Sequence, residues 1–215
     1  MKLLQLNVWG GRLEKQILEL LESEQPDIVC FQEAIDVKGG NTGFFLAIDD
    51  IPRELGLNNI FFSASFTFDF MRRKLGFGNC ILSKFPILKK ETIFTNLEHI
   101  SNFDFMNDTY NVRNLQHVVI NTAKGKLNVL DHHGYHVPNH KNGDSVTMRQ
   151  CKIIADYVSK LEGSVILTGD FNLSPNSPSI EQINKVLTNL SVKTKLKTTR
   201  TELTHKTEGC EGKVF

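Results

Sequence analysis

The sequence has no apolar run of the ~18 residues that a membrane-spanning helix needs, so no span is expected. It has no C-x-x-C pair. Cys30, Cys80, Cys151 and Cys210 lie far apart, which excludes a zinc ribbon and a thioredoxin-type motif. It also lacks a dominant charge: 25 Lys and Arg face 24 Asp and Glu, a formal charge of +1. A nucleic-acid binder held by net charge alone is thereby excluded, whereas a local basic groove is not. Internal repeats, low-complexity blocks and Pro/Gly/Ser-rich linkers are missing too. The 215 residues are therefore expected to form one domain, 1–215. The first residues, Met1-Lys2-Leu3-Leu4-Gln5-Leu6-Asn7, turn polar too early for a signal peptide, and a soluble, cytoplasmic monomer is expected.

What is present suffices for a core, with 40% hydrophobic and 23% charged residues. Lys2 to Val8 reads as a strand closed by Gly10-Gly11. Leu13, Ile17, Leu20 and Leu21 then share one helical face that Pro26 ends, and Ile28-Val29-Cys30-Phe31 reads as a buried strand. Strand-type residues recur in 60–66, 79–82 and 89–94. Segments 115–121 and 126–131 flank Thr122-Ala123-Lys124-Gly125, a plausible hairpin turn. A helix starts at Ser145, a buried strand covers Val165-Ile166-Leu167, a last helix is predicted over 179–190, and Lys213-Val214-Phe215 looks like the start of another strand. Hairpins mixed with helices argue for an α/β or α+β sandwich with mostly antiparallel sheets. The thiols in apolar or periodic segments are expected to be buried, and Phe61, Phe62, Phe66, Phe68 and Phe70 to pack rather than to stack bases.

Four segments put polar residues at the ends of apolar strands: Leu6-Asn7-Val8-Trp9, Phe31-Gln32-Glu33, Val129-Leu130-Asp131-His132-His133 and Gly169-Asp170-Phe171-Asn172. Singly, each is as well explained by a turn, a helix cap or a solvated strand end. Asp170 and Asn172, two apart, would project to one side in extended geometry. His136 and His140 have the i, i+4 spacing of zinc ligands on a helix, but Pro138 between them argues against that helix. Met71-Arg72-Arg73-Lys74 is either a solvated loop or a cleft wall that attracts phosphate.

Together, the order Asn, Gln-Glu, His and Gly-Asp-Phe-Asn resembles the endonuclease/exonuclease/phosphatase superfamily, as does the stretch from Gly78 to Ile87 with its Ile-Leu-Ser-Lys-Phe-Pro-Ile. Met148-Arg149-Gln150 fits as well. The resemblance implies a four-layer αββα sandwich and a Mg²⁺- or Mn²⁺-dependent phosphoesterase of nuclease or phosphatase type. It implies Glu33 and Asn7 at the metal and Asp170, Asn172 and His133 in catalysis, with His132 and His136 behind His133. Asn172, Arg72 and Arg73 would bind a phosphate-ester substrate, nucleic acid among the candidates. Hard cations prefer such oxygen ligands, and attack by water on a phosphoester needs a base and charge neutralisation. The family's closing Ser-Asp-His type motif has no counterpart here, since His205 lacks the preceding Asp. The last strands are thus expected to be missing, the chain to be a truncated form and its activity to be in doubt. The rival expectation is a catalytically incomplete phosphate- or nucleic-acid-binding remnant.

Overall fold

The structure, a computed structural model, describes residues 1–37, 45–51, 53–138, 140–196 and 199. His205, Cys210 and the strand expected at Lys213-Val214-Phe215 lie outside the described residues. The chain divides into two compact units interleaved in sequence. The first holds Met1–Tyr135 and Leu161–Phe171; the second holds His136–Lys160 and the chain from Asn172 onward.

The first unit contains two four-stranded sheets. One has the order β1 (Leu3–Asn7), β2 (Ile28–Val37), β4 (Arg73–Ser83), β3 (Asn59–Phe70). The other runs β5 (Ile87–Asn96), β6 (Arg113–Thr122), β7 (Gly125–His133), β8 (Ser164–Asp170). The pairs β1–β2 and β7–β8 are parallel and the other pairs antiparallel. The mostly antiparallel α/β sandwich is what the structure shows. Chain alternation in β2 explains its unbroken apolar run. Val29 and Phe31 face Ile17 and Leu21 of helix α1 (Glu14–Glu24), while Ile28 and Cys30 face Val118, Ile120 and Val129 of the other sheet. A strand covered on both faces has no polar side to show. Helix α1 ends where Gln25 turns left-handed (φ 46°) and its N–H meets the Leu21 carbonyl, one residue before Pro26.

Strands β3 and β4 join through Met71 and Arg72, both at positive φ, and β6 and β7 through Ala123 and Lys124, as expected of tight hairpins. Phe66 stacks on Phe103 at 3.9 Å and on Phe77 at 4.9 Å, and Phe68 is buried as well. Phe61, Phe62 and Phe70 pack against the hydrophobic clusters, the packing role expected of all five. Cys30, Cys80 and Cys151 are free and buried. In the second unit, α2 (Ser145–Val158) is capped by Asp144, whose side chain accepts from the Thr147 N–H. The helix predicted over 179–190 is instead two short ones, α3 (Ile180–Asn184) and α4 (Leu190–Lys193). Asn189 is extended and caps the second of them through the Val192 N–H. No helix among the described residues is long and apolar enough to cross a membrane.

Candidate functional site

Asn7 ends β1, His133 ends β7 and Asp170 ends β8. Glu33 sits in β2 where the register slips between Phe31 and Ala34. At that bulge Glu33 takes a left-handed conformation, φ 57°, which re-aims its side chain relative to a regular strand. Gly169 places Asp170: a Cβ there would lie 2.1 Å from the His132 carbonyl oxygen, so only glycine lets β8 lie this close to β7.

These residues converge. Asn7 Nδ2 donates to Glu33 Oε1 and to Asp170 Oδ2, each at 3.0 Å, and its Oδ1 accepts from the Trp9 N–H at 2.9 Å. One amide thus ties a carboxylate of the first sheet to a carboxylate of the second. His133 Nε2 lies 3.7 Å from Glu33 Oε1. Burial raises the Glu33 carboxyl above its usual range and the Asp170 charge adds to this, while the Asn7 hydrogen bond and the cations of Arg113 and Arg12 oppose it.

Arg113, at the start of β6, is a member of this group that the sequence reading did not single out. It is only 6% exposed, and its Nη1 lies 3.0 Å from His133 Nδ1. A guanidinium has only donors, so Nδ1 accepts and the ring's proton resides on Nε2. His133 therefore presents an N–H towards the carboxylates. Burial lowers Arg113 to about 10, against the pull of Glu33 and Asp170, which leaves it charged at neutral pH. The signal was a charged residue opening a strand that continues Leu115, Val118 and Ile120 inward.

His132 points the other way. It is 1% exposed, its Nδ1 donates to the Asn114 carbonyl at 3.0 Å, and burial lowers it to about 4. It is a neutral core histidine, which leaves His133 as the histidine at the carboxylates. His136 and His140 belong to the second unit and sit on no helix. Asn172 also belongs to that unit. The extended geometry assumed for Asp170 and Asn172 does not hold, because β8 stops at Asp170 and Asn172 is left-handed, φ 54°. Its Oδ1 accepts from Lys141 Nζ at 2.9 Å. Arg72 and Arg73 are exposed at the β3–β4 hairpin. Arg73 is five residues along β4 from Gly78, the partner of Ala34, or roughly 16 Å at strand rise, so the structure does not bring them to the carboxylates.

Behind the site runs a buried polar chain. Gln5 Nε2 donates to Gln32 Oε1 at 2.5 Å, and Gln32 Nε2 to Asp131 Oδ1 at 2.6 Å, an oxygen that also accepts from Thr168 Oγ1 at 3.0 Å. No group of three or more His, Cys, Asp or Glu among the described residues is arranged to hold a metal ion. The donors around Asn7 nonetheless suit a hard cation that keeps most of its waters. They are the carboxylate oxygens of Glu33 and Asp170, the ligand type that such an ion prefers.

A profile of the endonuclease/exonuclease/phosphatase family matches residues 4–207. No curated protein matches the chain. Among solved structures it is similar to an endonuclease/exonuclease/phosphatase from Beutenbergia cavernae, with 16% identity and a TM-score of 0.56 over 83% of this chain and 50% of that one. It is also similar to D. rerio TDP2 complexed with single strand DNA product, with 14% identity and a TM-score of 0.57 over 87% and 66%. A third is beta toxin from Staphylococcus aureus, with 19% identity and a TM-score of 0.55 over 89% and 71%. The chain thus spans half the length of the first and 66% and 71% of the other two. At these identities the likeness bears on the fold.

Proposed function

The chain belongs to the endonuclease/exonuclease/phosphatase family, and from that premise we propose that it hydrolyses phosphate esters with a divalent metal. The observation that carries the reading is the single amide of Asn7 held between the carboxylates of Glu33 and Asp170, with an imidazole N–H beside them. Glu33, helped by Asn7, would hold Mg²⁺ or Mn²⁺. When bound, such an ion supplies charge neutralisation to the phosphoryl oxygens.

The chain's own residues account for the rest. Asp170 takes a proton from the attacking water, and the Asn7 N–H that it shares with Glu33 fixes where its oxygen stands. His133 donates a hydrogen bond from its Nε2–H to a phosphoryl oxygen and keeps the proton. Arg113 behind it keeps Nδ1 occupied as an acceptor, so the ring cannot serve as the base in this tautomer. Within this reading the 215 residues act as one functional domain.

Hydrolysis of bis-p-nitrophenyl phosphate with Mg²⁺ or Mn²⁺ tests the proposal. Turnover that stops on chelation and falls at least ~100-fold in Asp170→Asn is expected, as for loss of a general base. Isothermal titration of Mn²⁺ should show weaker binding in Glu33→Gln. Equal affinity for native and variant protein would sink the assignment of Glu33, and metal-independent turnover would sink the mechanism.

A further inference from the structure

Trp9 is the only tryptophan of the chain, and it is 37% exposed in a turn directly after β1. Tryptophan is highly buried on average, so a ring with more than a third of its surface open stands out there. Its backbone is also unusual: φ is 50°, a region that a bulky residue rarely enters, followed by Gly10 at 64° and Gly11 at 72°. The turn is fixed rather than loose. The Trp9 N–H is held by Asn7 Oδ1, the Gly11 N–H by the Val8 carbonyl and the Leu46 N–H by the Gly11 carbonyl. A Cβ on Gly11 would come within 2.6 Å of the Leu46 carbonyl oxygen. A strained backbone therefore ties the start of this turn to the Asn7 side chain, which itself joins Glu33 to Asp170.

The guanidinium of Arg12 lies over this indole, 5.0 Å from the ring centroid. We propose that Trp9 and Arg12 form a subsite for the nucleobase of a nucleotide ester. The indole would be the stacking surface and the guanidinium the cation that steadies the adjoining phosphate. The inference rests on the phosphoesterase reading and narrows its substrate class. Base–aromatic stacking with an arginine beside it is how unpaired nucleotides are commonly held. A cationic headgroup such as choline suits the site less, because Arg12 already places a positive charge against the ring. A bare phosphate has no use for the indole.

Because Trp9 is the only tryptophan, the emission of the native protein reports this ring alone. In EDTA, where no metal-dependent turnover occurs, a short oligothymidylate should quench it saturably, whereas phosphocholine and inorganic phosphate should not. With a fluorescently labelled oligothymidylate read by anisotropy, Trp9→Leu should bind roughly 5- to 100-fold more weakly, and Trp9→Phe should recover part of the loss. Arg12→Gln, which retains the fluorophore, should weaken the quenching titration while leaving the melting temperature unchanged. No saturable quenching, equal affinity in Trp9→Leu, or equal quenching by phosphocholine would overturn the subsite. Trp9-dependent binding in a protein that never hydrolyses a phosphodiester would refute the proposed function and leave the subsite standing. Hydrolysis of the oligothymidylate with a KM indifferent to Trp9 would do the reverse.

Discussion

Replacing Asp131 by Asn should stabilise the protein, by an amount that grows with pH. Asp131 lies in β7, is fully buried, and accepts two hydrogen bonds at Oδ1, while Oδ2 has no partner among the described residues. Burial raises its pKa to about 8, the Thr168 and Gln32 hydrogen bonds opposing this and the Asp170 charge adding to it. In an unfolded chain the same group titrates near ~3.9. Between these values the folded protein holds a proton that the unfolded chain releases, so stability is complete below about pH 4 and is lost as pH rises towards 8. The loss is at most ~1.4 kcal/mol per pH unit, or on the order of 4 kcal/mol between pH 5 and 8.

Asparagine has the same shape and no proton to lose. Its Oδ1 can accept from Gln32 and Thr168 as before, and its Nδ2 takes the position of the unpartnered Oδ2. The variant and the native protein should therefore melt alike at pH 4 and diverge upward. At ~2–4 °C per kcal/mol for a chain of this size, the gap at pH 8 is about 8–16 °C. Circular dichroism melts of both proteins at pH 4, 6 and 8 measure it. A gap that stays constant with pH, or a variant that melts below the native protein at pH 8, would refute the assignment of a neutral Asp131.

The Glu33 carboxyl must ionise to hold a cation, and burial raises it above its usual range, so Mn²⁺ affinity should begin to fall at a higher pH than for an ordinary glutamate; calorimetry from pH 7 down to 4 would show it, and an onset at the ordinary value would count against the buried pair. Gly169→Ala forces a Cβ against the His132 carbonyl and should cost about 1–3 kcal/mol in urea unfolding, and a neutral result would mean that β8 can shift. Arg113→Met keeps the bulk but removes the donor to His133 Nδ1. Imidazole ¹⁵N shifts should then show the proton no longer confined to Nε2, and phosphodiester turnover should fall at least ~10-fold.

Much of the scaffold was legible because each strand's pattern reports what covers it. Ile28-Val29-Cys30-Phe31 is apolar throughout because a helix and a second sheet cover its two faces. The ends of elements were less legible. Strand β2 continues six residues past Phe31, through Glu33 and a register slip that no alternation announces. The helix expected over 179–190 breaks where Asn189 prefers to cap a new turn. Asn7, Glu33, His133 and Asp170 were nameable from motif order. Arg113 was not, because it reaches the group through tertiary proximity, from 20 positions away from His133 to 106 from Asn7, with neither motif nor period to announce it. Arg72 and Arg73 were drawn in by charge alone, and charge without register does not locate a side chain.

The two parallel strand pairs explain why the site forms at this edge. Asn7 is level with Gln32 in β1–β2, and His133 with Asp170 in β7–β8. Only parallel neighbours end side by side, and an antiparallel partner would begin where its neighbour stops. Each sheet is mostly antiparallel, yet each has one parallel pair, and the residues that end these pairs meet through the Asn7 amide. The antiparallel neighbour then contributes what a parallel one could not: β6 begins where β7 ends, and its first residue is Arg113. A guanidinium at the start of one strand thus meets an imidazole at the end of the next, beside two carboxylates whose mutual repulsion it moderates. Reversing β8 would carry Asp170 to the other end of its sheet, and reversing β1 would take the Asn7 amide away from both acids. The mixed topology is therefore a requirement of the site more than of the core.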